Sequence, residues 1–564
     1  NKYNGQMIPD NETWGGKISY QGFVHTFNGL VPPGQYGAAH PEYYSERNGK
    51  RVWEGPSQLC LTNPDVLKIT IESVRRWIKA NPKATIISVS QNDNQTYCQC
   101  AKCMALAEKE GSQMGPLLHF VNAVARDIAK DHPDKIIDTL AYQYTRKPPK
   151  FVRPEPNVAI RLCSIECCFV HTLEDCPFNK TFVDDIIGWS KICNRLHIWD
   201  YVINYAHCIM PFPNLRVLKP NIQFFIKHGV TGIYEEANYF SKGGELAELR
   251  SYMMAKCLWD PEADIDKALF EFTEAYYGAA GKWIRDYLKL IHDNVCSNKK
   301  RHVTIYRPPS FYLNDAKMID AAFALFAKAE EAVADDPILT HRVKVAKLPI
   351  IYTRVTLGRG DAHGLFKRVR HSLVTETESH EDLVEEFAKT CAAEGITRYR
   401  EGYHPIEQWV EAHSVNQAPL NIISLRNQHV RVDVLPGAGG RIWQVAAGDA
   451  QIMRLVGDEE KGYIPYEGGY EEYSTDGHRS PGWREPYKII DHGLTTIEME
   501  ASLSNGRVMR RRIELLGDRP GFKVISKMCH PGNSGKLTFR THPEFAVTST
   551  ANAELVVKSA DGKE

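Results

Sequence analysis

The chain has 564 residues, more than one hydrophobic core accommodates, so two to four domains are expected. Its composition, 43% hydrophobic and 24% charged, is that of a soluble globular protein, and Lys+Arg and Asp+Glu each total 69, so no global field favours nucleic acid or an anionic membrane. No apolar run approaches the roughly 18 residues of a membrane helix, and a neutral substrate such as a glycan suits this balance.

The chain begins Asn1-Lys2-Tyr3, without an initiator Met, and stops soon after the strand-like run Glu554-Leu555-Val556-Val557. It is therefore expected to be a fragment or a processed form. Ile18 to Phe27 alternates as a strand would and ends in His25 and a Gly/Pro-rich loop. Asn63-Pro64-Asp65 predicts a helix start, with Asn63 as cap and Val66, Ile69, Val74, Trp77 and Ile78 as its buried stripe. Ala84 to Ser90 is an apolar, β-branched run of the kind buried on both faces, and it empties into Gln91-Asn92-Asp93-Asn94. Further strand and helix units follow: Ile136 to Tyr144, whose loop carries Tyr142; Val158 to Cys163, reaching Glu166; Leu196 to Tyr201, containing Trp199 and Asp200; and Gly229 to Tyr239, which delivers Glu235 and Glu236. Polar residues recur at the strand ends. This alternation predicts an α/β fold, a TIM-like (β/α)8 barrel over residues 1–295 lacking its first strand, with helices from 245 to 295 closing it. Residues 296–419 read as a helical domain. From 420 to 564 the period changes to two, with turns at Pro436 to Gly440, Asn505-Gly506 and Asp518 to Gly521, which predicts an antiparallel β-sandwich.

Acids at one barrel face suit glycosidic bond cleavage, which needs a proton donor and a second group at the oxocarbenium-like centre. The candidates are Glu235, Glu166 and Asp93 as catalytic groups, with His25, Asn92, Tyr142, Trp199, Asp200, Glu236 and Tyr239 as substrate contacts. Side-chain alternation sends Glu235 and Glu236 to opposite faces, so one of the two is expected to be catalytic, and Glu235 is preferred as nearer the strand. By the same alternation Asp93 is at risk of pointing away from the cleft. Many TIM-barrel enzymes place acids at these strand ends, so the pattern is not specific by itself.

Twelve of the fourteen cysteines lie between Cys60 and Cys296. Three of them, Cys98, Cys100 and Cys103, fall within six residues; zinc with a fourth ligand such as Cys60, Cys163, Cys167 or Cys168, disulfides, or packed thiols would each brace the loop after Asp93. A structural role is expected, no metal is assigned, and no nucleotide-type glycine loop or other cofactor motif is present.

Taken together, Ser88 to Asn94 followed by Cys98, Cys100 and Cys103, Gly22 to Phe27 with His40-Pro41-Glu42-Tyr43, Arg161 to Glu166, Ile198 to Tyr201, and Gly232 to Tyr239 with Gly244 to Arg250 resemble glycoside hydrolase family 163. The resemblance covers roughly residues 1 to 295; residues 420–564 more weakly resemble a galactose-mutarotase-like sandwich. It implies a bacterial endo-β-N-acetylglucosaminidase, secreted, periplasmic or on the cell surface, that cuts the β1,4 bond between the two core GlcNAc residues of complex N-glycans. Its partner would be a glycan or glycoprotein, with no cofactor. Glu235 would protonate the leaving oxygen while the substrate's acetamido group attacks, oriented by Glu166 or Asp93. Two other readings stay open: an exo-acting glycosidase of the α-glucuronidase type, for which Arg161 is the strand-borne cation, and a glycan-binding protein without catalysis.

Overall fold

A computed structural model describes residues 18–358, 366–375, 380–413, 420–448, 450–453, 455–458, 462–474, 481–529 and 539–543. The run Glu554 to Val557 lies outside the described residues. The chain divides into two compact units, residues 1–352 with 389–406, and residues 353–388 with 407–564. No helix among the described residues is long and apolar enough to cross a membrane.

The first unit is built on six parallel strands that lie side by side in chain order: β1 (Tyr20–Gln21), β2 (Ile86–Ser88), β3 (Ile136–Ala141), β4 (Val158–Cys163), β5 (Leu196–Tyr201) and β6 (Val230–Glu236). The middle strands are buried along almost their whole length, as their near-continuous apolar sequences require of a sheet covered on both faces. Helices α1 (Pro64–Ala80), α2 (Ala101–Glu110), α3 (Met114–Ile128), α4 (Lys180–Ser190) and α5 (Leu215–Lys227) occupy the crossovers. Helix α3 buries Leu117, Phe120, Val121, Val124 and Ile128, the stripe its sequence spacing predicts. After β6 the chain turns helical as α6 (Ala247–Trp259), α7 (Ile265–Tyr277), α8 (Gly281–Cys296) and α9 (Ala316–Ala332).

The expected closed eight-stranded barrel is not formed by the described residues. No strand among the described residues joins β6 to β1, and their sheet is a curled half-barrel. Its curl brings Phe23, just past β1, against Trp199 on β5 and Tyr234 on β6, with ring centroids 5.3 and 5.0 Å apart. The expected first strand is also cut short. Gly22 takes φ of 64°, and a Cβ there would lie 2.8 Å from the Trp77 ring, so the chain leaves the sheet at the one residue that tolerates both. It then hydrogen-bonds to β2's extension instead, with the Thr26 and Phe27 N–H groups both donating to the Ser90 carbonyl.

Helix α1 starts as read from the sequence. The Asn63 side chain accepts from the Asp65 and Val66 N–H groups at 2.9 and 3.4 Å, and Pro64 fills the first helical position. Asn63→Ala removes that acceptor and is expected to cost about 1 kcal/mol, read as a lower urea midpoint at unchanged slope.

The second unit is antiparallel. Strands Ile423–Arg426, Arg431–Leu435, Arg441–Ala447, Tyr470–Ser474 and Phe539–Pro543 form one sheet, and Lys488–His492, Thr496–Ser502, Val508–Leu515 and Phe522–Cys529 another. Leu425, Val432 and Val434 from the first meet Ile497, Met499, Met509 and Ile513 from the second in one apolar core. Buried and exposed residues alternate along Val508–Leu515, which is the period-two pattern of the sequence. A third antiparallel sheet pairs Phe366–Val369 with Ser372–Thr375 and Gly462–Gly468.

Candidate active site

The carboxyl ends of β3 to β6, with the segment after β1, surround a cavity of about 400 Å³, the size range of small-ligand sites. Register explains which side chains reach it. Trp199 pairs with Tyr234 and Tyr201 with Glu236 across β5 and β6, and all four line the cavity, whereas Asp200 and Glu235, the pair between them, face away.

Glu236 is 9% exposed. The Trp199 indole N–H donates to its Oε2 at 2.7 Å, and the Tyr205 hydroxyl donates to its backbone carbonyl at 2.9 Å. Burial pushes its pKa up to about 7, and the negative charges of Glu401 and Asp93 add to the rise, against the Trp199 N–H, which favours the anion. A carboxyl poised at that value is about half protonated at neutral pH, so it can both give up a proton and take one back.

Facing it, Asp93 is mostly exposed and accepts from the Tyr142 hydroxyl at 3.1 Å. His25, with φ of 54°, is held in that uncommon conformation by a 2.7 Å hydrogen bond from Nδ1 to the Gln91 carbonyl. A carbonyl only accepts, so Nδ1 carries the proton, and Nε2 is left to face Asp93 at 3.9 Å. The third carboxylate is Glu401. Its N–H donates to the Tyr205 carbonyl, and its Oε1 accepts from the Tyr239 hydroxyl at 2.8 Å.

Of the residues expected from sequence, His25, Asp93, Tyr142, Trp199, Glu236 and Tyr239 line this cavity. The others lie elsewhere. Glu235 buries its Oε2 without a partner although the residue as a whole is half-buried; burial and the neighbouring Asp200 hold its pKa well above the carboxylate range. Asp200 accepts from the Ser164 hydroxyl, and burial raises it to about 6. Asn92 is tied into loop structure by Ser57, Gln58 and Asn28. Glu166 pairs with Arg146 at 3.0 Å, and Arg146 also binds Asp185.

Glu235 was preferred as the nearer of the two to the strand. The strand runs through Glu236, so both acids are equally within it and only the face distinguishes them. Sequence reading did not find Glu401 and Tyr306. Nothing local marks Glu401, which lies outside any helix and is delivered by a segment that returns to the first unit from 389 to 406. Tyr201 was read as the end of its strand, whereas Tyr205, which also lines the cavity, was not singled out.

No curated protein matches the sequence. Among solved structures, a GH89 protein from Clostridium perfringens in complex with its substrate GlcNAc-alpha-1,4-galactose is 10% identical, with a TM-score of 0.38 over 66% of this chain and 40% of that one. A GH138 enzyme targeting pectin rhamnogalacturonan II is 10% identical, with a TM-score of 0.34 over 82% of this chain and 64% of that one. The chain thus spans less than two thirds of either, and scores of this size carry no argument about fold or chemistry. A family model does match, over residues 2–289, so that it takes in the half-barrel, Asp93, Trp199 and Glu236. The chain belongs to the family described as domain of unknown function DUF4838.

Proposed function

We propose that the protein is a glycoside hydrolase, and that it cleaves the GlcNAc-β1,4-GlcNAc core of complex N-glycans by a retaining, substrate-assisted route. The observation that carries the reading is Glu236, a buried carboxyl raised to about 7 at the wall of an aromatic cavity. Glu236 protonates the glycosidic oxygen while the substrate's acetamido oxygen attacks the anomeric carbon; water then opens the oxazolinium, with the Glu236 carboxylate taking its proton. Asp93 and Glu401 are placed to hold the amide N–H and concentrate negative charge near the cationic centre. Trp199, Tyr142 and Tyr201 offer faces for sugar rings. Among the described residues three carboxylates and no Lys or Arg line the cavity, which opposes a uronate and favours a neutral sugar. Glycans of this class sit on proteins outside the cytoplasm, which places the enzyme in a secreted, periplasmic or surface location on a bacterium.

The test is mass spectrometry of a glycoprotein bearing complex biantennary N-glycans after incubation with the protein. Release of the glycan ending in one GlcNAc, with the other GlcNAc left on Asn, is expected. Release of single terminal sugars would overturn the endo reading, and an intact glycoprotein would overturn the proposal.

A further inference from the structure

Fourteen cysteines form no disulfide, and eight side chains, six of them cysteines, gather into two compact clusters. One joins Cys60, Cys98, Cys100 and Cys103; the other joins Cys168, His171, Cys176 and His302. In each, the four ligand atoms lie within 4.8 Å of one another. We propose that these are two structural zinc sites, one of four thiolates and one of two thiolates and two imidazoles.

The distances fit a common centre. Tetrahedral zinc with Zn–S near 2.3 Å and Zn–N near 2.0–2.1 Å spaces its ligands about 3.8 Å apart for two sulfurs and about 3.5 Å apart for sulfur and nitrogen. Cys60 Sγ and Cys100 Sγ are 3.7 Å apart. His171 Nδ1 lies 3.5 Å from Cys168 Sγ and 3.9 Å from Cys176 Sγ, and His302 Nδ1 lies 3.4 Å from Cys176 Sγ. A disulfide needs its sulfurs about 2.05 Å apart and leaves no role for two imidazoles turned toward the same thiols. Seven of the eight residues are buried and His302 is half-buried, so neither set leaves an open position for substrate, which is the character of a structural site.

The surroundings also fit. His171 reaches the Cys296 carbonyl with Nε2 at 3.2 Å, so Nε2 carries the proton and Nδ1 presents its lone pair to the cluster, the usual support of a metal-bound imidazole. His302 is stacked on Phe178. In the four-cysteine cluster the Glu46 N–H and the Arg51 guanidinium both donate to Cys98 Sγ, at 3.3 and 3.6 Å, and Thr62 Oγ1 lies 3.2 Å from Cys103 Sγ. These are donors of the kind that offset the net negative charge of four thiolates on one zinc.

Each cluster ties together segments distant in sequence beside the cavity. The first joins the segment of Cys60 to the loop that follows Asp93, and the Glu46 N–H donating to Cys98 adds the hairpin Glu46–Arg47 and Lys50–Arg51. The second links the loop after β4, whose Ile165 lines the cavity, to the segment that carries Tyr306, and the Phe169 N–H to Val303 carbonyl bond runs alongside. Zinc here would tie these segments to one another.

Elemental analysis of the full chain, purified under reducing conditions and dialysed against a weak chelator, is expected to find two zinc ions per chain. Cys100→Ser and His302→Ala should each lower this to one, and together to none. Two ions remaining in either single variant would overturn the site it removes. Should a variant not fold, the wild-type protein decides: exchange with cobalt should give the intense visible bands of tetrahedral cobalt with thiolate charge transfer. A metal-free chain with no such bands, or iron in place of zinc, would overturn the proposal.

Discussion

Glu236→Gln is expected to lower kcat on an N-glycoprotein by on the order of 10²-fold or more, the usual loss when a positioned proton donor is removed. The amide keeps the shape of the carboxyl and can still accept from the Trp199 N–H, so KM should change little. The pH profile supplies a second reading. The donor must be protonated, and with its pKa raised to about 7 the wild-type rate should fall as pH rises through that value. Stability moves the same way with pH. The folded-state pKa lies above the usual carboxyl value of 4.5, so the folded state binds the proton more tightly than the unfolded chain does, and stability is lost as pH rises from there through 7. The amide cannot ionise and escapes that loss. At pH 8 the variant should therefore be more stable than wild type, by up to about 3 kcal/mol for a shift of this size. A variant that is slower and more stable at pH 8 cannot be explained by misfolding. Wild-type turnover in Glu236→Gln would remove the residue from the mechanism, and an equal or larger loss in Glu235→Gln would move the proton to the other face of β6.

What the sequence revealed follows from how local each signal is. The six parallel strands were readable because β-branched runs such as Ala84 to Ser90 leave a sheet no exposed face, and the start of α1 was readable because Asn63, Pro64 and Asp65 each act on the first turn alone. Barrel closure is a property of the whole sheet, and the helices after β6 look the same in sequence whether they cover a closed barrel or a half-barrel. The site divides along the same line. Alternation predicted that Glu235 and Glu236 part, but which of the two faces the cavity depends on the sheet's curvature; Trp199 and Asp200, both expected as substrate contacts, part by the same rule, and Trp199 alone reaches the cavity. Asp93 shows the limit of that rule: regular pleating stops at Ser88, and the side chain reaches the cavity from a loop. Glu401 is set by tertiary contacts alone, through Tyr205 and Tyr239.

The second large effect is expected beneath the cavity. Arg161 and Asp138 are 1% and 0% exposed and form a two-point ion pair, Nη2 to Oδ1 at 2.6 Å and Nε to Oδ2 at 3.2 Å, with Nη2 also donating to the Phe23 carbonyl at 2.6 Å. The guanidinium lies 4.6 Å from the Phe23 ring centroid and 5.1 Å from that of Trp199, so one cation holds both the curl of the sheet and the indole that binds Glu236. Arg161→Met leaves Asp138 buried without its partner and should cost about 3–5 kcal/mol, read as the shift in the urea transition. Arg161→Lys keeps the charge but neither the fork nor the flat face, so an intermediate loss is expected. Adding Asp138→Leu to Arg161→Met removes the stranded charge and should recover part of the stability, because the penalty lies in the unpaired carboxylate more than in the missing pair. Turnover need not return with it, since the double variant still lacks the support under Trp199. Recovered stability with lost activity would assign Arg161 to positioning the floor of the site, whereas a loss below about 1 kcal/mol in Arg161→Met would mean that water or a rearranged side chain satisfies Asp138 and that the half-barrel holds its curl without the pair.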